Sequence, residues 1–424
     1  MFWGLLIMKK NRILLSAAAF ILSMMFIAGC GNSAEVAAAD SSVLQTDISQ
    51  LSVPESVKIV GLGEASHGAK EYQQMKKDVF KSLVEHNGCR TFIIEGDFGS
   101  ALKVDKYIHG GEGTAENIVS EIGFAIYHTQ EMADLVEWMR SYNEQVPEGK
   151  DLHFYGMDMQ RYDNNKEYLF SVLDKAAPDL SEKFKNAFSD LTDENRTSLK
   201  SDILKQAESD VQELLNQLDV REKEIVAVCG QDAFDFAREC ANTILECGEL
   251  LESNSDYNKI RDKHMEEKIE WFLQHGDGSV IFINGHNGHV GKTSISNYKC
   301  LGALLNEKYE SSYFAVGTDA EDTKFNSQDD DGNFTVKEIK NTDDFTKQFE
   351  KIDSKCYYLD FSKVSDNEQW QSILVHKQSV TSLNVGIYGW QQALKLFCTT
   401  NIIPKDTFDG VIVFRETSPT TLLN

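Results

Sequence analysis

Val57-Lys58-Ile59-Val60-Gly61-Leu62-Gly63-Glu64-Ala65-Ser66-His67-Gly68 is the stretch that decides the fold. Its first six residues form an apolar, β-branched run of strand length. Glycines and an abrupt group of polar side chains end it, and a helical pattern follows from Ala69 to His86. The unit then recurs. Thr91–Glu95 is a second run entering Gly96 and Asp97, Leu152–Asp158 a third and Ser279–Asn284 a fourth, with helical sequence between them. Tyr313–Val316, Cys356–Asp360 and Gly410–Phe414 read as further strands. Apolar strands alternating with helices predict an α/β fold, a mainly parallel sheet flanked by helices on both faces. From about 163 to 274 no strand pattern occurs, and the sequence is charged, helix-favouring and interrupted at Gly230 and Gly248. A strandless stretch of roughly 110 residues is too long for a connecting loop, so it reads as a helical insertion or lid.

The chain has 424 residues, 41% of them hydrophobic and 26% charged, which excludes wholesale disorder and collagen-like or small disulfide-scaffold classes. Against 67 Asp+Glu stand 42 Lys+Arg, a net charge of −25 that repels polyphosphate chains, and no basic stripe relieves it. Nucleic acid is therefore not an expected partner.

Lys9, Lys10 and Arg12 precede an apolar run from Ile13 to Ile27, which is followed by Ala28-Gly29-Cys30. That is the layout of a secretory signal peptide, too short for a stable membrane span. Ile27-Ala28-Gly29-Cys30 matches a bacterial lipobox, so residues 1–29 are expected to be removed and Cys30 to carry the lipid. Met8 competes with Met1 as the start. Residues 30–50 read as anchor and tether, and 51–424 as the folded domain, held outside the cytoplasm on the cell membrane. The other seven Cys show no CxxC spacing and read mostly as buried thiols.

In a parallel α/β sheet, ligands bind beyond the carboxyl ends of the strands. Those ends carry Glu64, Ser66 and His67 with Glu71 following, then Glu95 and Asp97, then Asp158, then Asn284-Gly285-His286-Asn287-Gly288-His289. With a helix starting at Gly68, Glu71 would reach His67 across one turn and raise its basicity, making His67 a general base toward water. Glu64 and His286 would hold the substrate carbonyl or the water, with His286 stabilising an oxyanion or protonating the leaving oxygen. His289 reads as a capping or packing residue. Gly285–Thr293 fails the phosphate-loop spacing, no G-x-S-x-G occurs, and Ser327–Glu338 lacks the first ligand of a calcium loop and reads as an acidic β-turn.

Gly61-Leu-Gly-Glu-Ala-Ser-His-Gly68 resembles the G-E-[AST]-[ST]-H-G element of the erythromycin esterase family. Glu71 and Lys76, Ile94-Glu-Gly-Asp-Phe98, Tyr155-Gly-Met-Asp158, Arg261-Asp262, His286-Asn-Gly-His289 and Phe408-Asp-Gly410 continue the likeness in register. The resemblance implies one α/β domain with a helical insertion and hydrolysis of an ester, in the best-known members the lactone of macrolide antibiotics. By that pattern His67, Glu64, Glu71, Arg261 and His286 are catalytic, while Ser66, Glu95, Asp97, Asp158, Lys76, Asn287 and His289 surround the substrate. Taken without the resemblance, Arg261 reads equally well as half of a surface pair with Asp262. Asp78 departs from the basic residue expected there and leaves the macrolide substrate unassigned. No cofactor is expected, the partner being a small ester or lactone. The alternatives are a metal-dependent hydrolase using His67, Glu64, Glu71, His286 and His289, or a non-enzymatic envelope lipoprotein that binds a glycan or small ligand. Oligomeric state is left open.

Overall fold

The computed structural model describes residues 39–423 apart from 295–296, 330, 384 and 388. The expected signal peptide, Cys30 and the first part of the expected tether lie outside the described residues. The strands are β1 (Ile59–Glu64), β2 (Thr91–Asp97), β3 (His153–Asp158), β4 (Ile281–His286), β5 (Tyr313–Gln328), β6 (Phe334–Lys340), β7 (Cys356–Asp360), β8 (Gln378–Thr381), β9 (Thr399–Ile402) and β10 (Gly410–Glu416). The main sheet runs β3-β2-β4-β1-β5-β10-β7, with β6 on the outer half of β5 and β8-β9 forming a separate ribbon. From β3 to β10 the pairings are parallel. The edge strand β7 and the hairpin strand β6 are antiparallel.

β1, β2 and β4 are buried along their whole length, because alternate side chains enter two separate cores. Ile59, Ile93, Ile281 and Ile283 join the core shared with the insertion. Val60, Leu62, Phe92, Ile94 and Phe282 face the opposite way, against the helices Lys70–Asn87 and Gln130–Asn143. Each fully buried side chain of this kind stabilises the fold by about 1.5–3 kcal/mol. After β1 the chain passes beyond β4 to build β2, whereas after β4 it passes beyond β1 to build β5. Its direction therefore reverses between β1 and β4, the switch point at whose carboxyl ends α/β sheets of this kind form their ligand crevice.

The insertion is helical as expected: Asp163–Ala176, Pro178–Ala187, Ser201–Cys229, Gln231–Glu252 and Tyr257–His275, with no strand among its described residues. Gly230 separates two of these helices at φ +86°, a conformation that favours glycine. Gly248 does not break the chain. It stays inside Gln231–Glu252, where buried Cys247 and Leu250 hold the helix against the core. The described cysteines are free thiols, most of them buried.

Three parts differ from the sequence reading. Residues 39–50 are not loose tether: Ala39 and Ile48 are buried, the Trp370 indole N–H donates to the Asp40 carbonyl at 2.8 Å, and Gln45 pairs with Tyr358 along the free edge of β7. β5 extends well past Val316 because its buried polar side chains find partners, Thr318 accepting from the Ala65 N–H and Asp319 from the Thr381 N–H. Beyond it lies the acidic turn into β6, where the Asp329 carboxylate accepts from the N–H groups of Asp331 and Asn333. The short ribbon β8-β9 was missed, since QSVT and TTNI contain no apolar run.

The C-terminal segment returns across the start of the first helix. The Lys70 N–H donates to Ser418 O, the Thr420 N–H to Gly68 O and the Gln130 N–H to Thr421 O, while the Glu71 carboxylate accepts from the Ser418 N–H at 2.6 Å and its hydroxyl at 2.8 Å. Glu71→Ala is expected to lower stability by about 1–2 kcal/mol, the net worth of two partly exposed charge-assisted bonds. The checks are a denaturation midpoint and faster amide exchange in 417–423; an unchanged midpoint would show that the segment is held without Glu71.

Candidate active site

His67 lies in a turn fixed from several sides. Leu383 N–H donates to Ala65 O at 2.8 Å and Asn326 N–H to Gly68 O at 2.9 Å, and the Ser66 hydroxyl accepts from the Gly68 N–H at 3.3 Å. The helix after it begins at Lys70. Glu71 is consequently turned onto Ser418, and the carboxylate beside His67 is Glu64, whose Oε2 lies 3.5 Å from Nδ1. Ser66 serves the turn.

Glu64 and Lys76 form a completely buried ion pair, with Lys76 Nζ 2.6 Å from Glu64 Oε1. Gln73, on the same helix face three residues earlier, donates to Glu64 Oε2 at 2.9 Å and to the His67 carbonyl at 3.1 Å. Burial pushes the Glu64 carboxyl up, but Lys76 and His67 outweigh it and hold Glu64 below its ordinary value. A neutral His67 that gives its Nδ1 proton toward this carboxylate keeps a lone pair on Nε2.

His286 has the opposite polarity. Its Nδ1 accepts from the Gly288 backbone N–H at 3.1 Å, so a neutral ring carries its proton on Nε2. That buried Nε2 makes no hydrogen bond within the protein. Burial and the positive field of His67 push the ring's pKa down to about 3, keeping it uncharged. The two ring centroids are 5.6 Å apart, with planes inclined at 49°.

Next to the histidines, Arg261 reaches from the last helix of the insertion to two strand ends, meeting Asp158 Oδ2 at 2.6 Å and Glu95 Oε1 at 2.7 Å. The other Glu95 oxygen accepts from the His286 backbone N–H at 2.8 Å. Gly285 permits this crossing, because a Cβ there would sit 2.9 Å from Glu95 Oε2. His289 faces Glu95 through Nε2 at 3.3 Å and Asp262 through Nδ1 at 2.6 Å. Burial opposes its charge, yet the two carboxylates raise its pKa. Glu95 is also buried, and His289, Arg261 and His67 hold it far below the usual carboxylate range.

The structure thus gathers Glu64, His67, Lys76, Glu95, Asp158, Arg261, His286 and His289 around the carboxyl ends of β1, β2, β3 and β4. It does not bring Glu71, Ser66 or Asp97 to the histidines. Asp97 caps the helix Phe98–Ile108 through the Ser100 N–H at 2.8 Å and binds Asn165, its pKa pushed up to about 6 by burial. Asn287 fastens β4 to β5 by exchanging two hydrogen bonds with the Thr318 backbone, at 2.8 and 3.1 Å. His289 is a member of the charge network rather than a packing residue. Arg261 and Asp262 are not a surface pair, since adjacent helical residues point apart and Asp262 is fully buried on His289 and the Leu301 N–H. Gln73 and Tyr127, whose hydroxyl donates to the Glu95 carbonyl at 2.9 Å, were missed, and Asp262 was named only as the neighbour of Arg261. Gln73 alone had a sequence signal, its i, i+3 spacing to Lys76. The groupings close enough to share a metal ion among the described residues are elsewhere.

The erythromycin esterase family model matches residues 84–417, beginning downstream of Glu64 and His67. Over 264 residues the chain is 23% identical to erythromycin esterase type II of Escherichia coli, covering 56% of this chain and 62% of that relative, less than two thirds of its length. A solved succinoglycan biosynthesis protein superposes with a TM-score of 0.74 at 21% identity, covering 87% of this chain and 90% of its own. An erythromycin esterase mutant in its open conformation gives 0.62 at 14%, covering 90% of this chain and 99% of its own. At such identities the likeness establishes the fold.

The pH dependence follows from His286. An unfolded histidine takes up its proton near pH 6.5, whereas the folded one refuses it until about 3, so stability is expected to fall as pH is lowered through that window. His289, with its raised pKa, acts in the opposite sense: its contribution is present at low pH and lost as pH rises. Urea midpoints measured across the window in wild type and His286→Gln test this, and an equally steep acid slope in the variant would remove His286 as its source.

Proposed function

The chain belongs to the erythromycin esterase family, and from that premise we propose that it hydrolyses a carboxylic ester or lactone with water activated by His67. Membership suggests a hydrolase acting on a small molecule. The observation that carries the finer reading is the pair of imidazoles with opposite proton polarity, 5.6 Å apart at the ends of β1 and β4.

In the reaction, water lies between His67 Nε2 and the substrate carbonyl. As the water oxygen bonds to the carbonyl carbon, its proton passes to Nε2 and the carbonyl oxygen becomes an oxyanion. The imidazolium is stabilised by Glu64, which Lys76 and Gln73 hold in place. The His286 Nε2–H, unpartnered in the protein, donates to the oxyanion. When the tetrahedral centre collapses, the carbon–alkoxide bond breaks and the leaving oxygen takes the proton from His67. Glu95, Arg261, Asp158 and His289 act on the geometry by holding the strand ends and the His286 backbone in register.

The anchor proposal rests on the lipobox. Signal cleavage before Cys30 and lipidation of its thiol would place this domain, described from Ala39, outside the cytoplasm on the cell membrane.

Incubation with a lactone and ester library, read by mass spectrometry, is expected to give products one water heavier than their substrates. His67→Ala is expected to lower kcat by about 10²–10⁴-fold. His286→Ala should lower it by about 10²–10³-fold with little change in KM, as for an oxyanion donor. Full activity in His67→Ala would dismiss the mechanism. Labelled fatty acid should enter the wild-type chain and not Cys30→Ala, and equal labelling of both would dismiss the anchor.

A further inference from the structure

Away from the crevice, the helices Gln231–Glu252 and Tyr257–His275 enclose a second group of titratable side chains. His264 is 5% exposed. Its Nδ1 lies 2.8 Å from Glu267 Oε2 and 3.8 Å from Glu246 Oε1, and its Nε2 lies 3.1 Å from Glu249 Oε2. Glu246 is 4% exposed, and its Oε2 makes no hydrogen bond although Lys268 Nζ stands 3.3 Å away. Its Oε1 accepts from Asn242 at 2.9 Å. Lys268 is engaged mainly by Glu239, and Lys263 by the outer oxygen of Glu267 at 2.7 Å. Four carboxylates thus surround one imidazole and two ammonium groups.

We propose that Glu246, His264 and Glu267 form a binding site for a divalent transition-metal ion, and that Zn²⁺ is the ion its donors fit. One imidazole and two carboxylates are a nitrogen–oxygen set of the type that zinc accepts, with water completing four-coordination. The three ligand atoms lie within 4.8 Å of one another, so small rotamer adjustments converge them on one centre. With the ion on Nδ1, the Nε2–H donates to Glu249, the carboxylate–histidine arrangement that fixes a liganding ring. Spacings of three residues, Glu246 to Glu249 and His264 to Glu267, put each pair on one helix face. The half-exposed side chains of Glu249 and Glu267 leave a path for the ion and room for its water.

The consequence concerns Arg261, one helical turn before His264 on the same helix. An ion bridging the two helices fixes the rotation of the second, and with it the approach of Arg261 to Glu95 and Asp158 and of Asp262 to His289. The site is separate from the proposed catalytic groups and needs no substrate.

The test uses the full chain, stripped by chelator and titrated with Zn²⁺ alone, followed by equilibrium dialysis and thermal unfolding. One tightly bound equivalent and a raised Tm are expected. His264→Gln and Glu267→Gln should lose both while keeping the wild-type circular dichroism, and Glu267, being half-exposed, is the safer variant for folding. Glu249→Gln should bind about 10–100-fold more weakly. His153→Ala removes a partly exposed grouping with Asp105 and His109 and should keep the equivalent, as should His67→Ala. Absence of binding in wild type, retention in Glu267→Gln, or loss in His153→Ala or His67→Ala would each overturn the assignment.

Discussion

One guanidinium holds this molecule's working end together. Arg261 lies between Glu95 and Asp158, carboxylates from the ends of neighbouring strands whose like charges it bridges. Removing one member of such a buried network typically costs about 3–5 kcal/mol, because the remaining charges lose their compensation. Glu95 passes the constraint on by accepting the His286 backbone N–H, and Asp262, beside Arg261, receives His289. The last helix of the insertion is therefore part of the crevice wall.

On the other side of the crevice, a second buried pair does similar work on a smaller scale. Lys76 neutralises Glu64, and Gln73 ties the same carboxylate to the His67 turn. The two histidines then differ because their Nδ1 atoms face different neighbours: the Glu64 carboxylate 3.5 Å away for His67, a backbone N–H that donates for His286. The surroundings of His286 keep its imidazole neutral and able to donate a hydrogen bond, while His67 beside Glu64 is the base of the proposed water-mediated acyl cleavage.

Much of this was legible in the chain. The α/β class, the strands at Thr91, Leu152 and Ser279 and the strandless insertion follow from hydrophobic period, which depends on a few consecutive residues. The concentration of Glu64, His67, Glu95, Asp158 and His286 at strand ends was legible for the same reason, since a strand's end is a local event and parallel strands bring their ends together. The outer half of β5 and the ribbon β8-β9 were not, because polar strands carry no apolar signature and become strands through distant partners such as Asn287 and Thr381.

The partner of each polar group marks the boundary between the two kinds of information. By itself the sequence determined which side chains stand at the carboxyl ends of the strands. Which of them meet was decided by the tertiary structure. Glu71 turns to Ser418 across a separation of 347 residues, and Glu95 to Arg261 across 166. Spacing along one helix suggested His67 for Glu71, but the helix starts at Lys70 and the returning C-terminal segment offers an N–H and a hydroxyl in its place. Periodicity is a property of neighbours in the chain, whereas a buried charge is satisfied by whatever close packing brings against it.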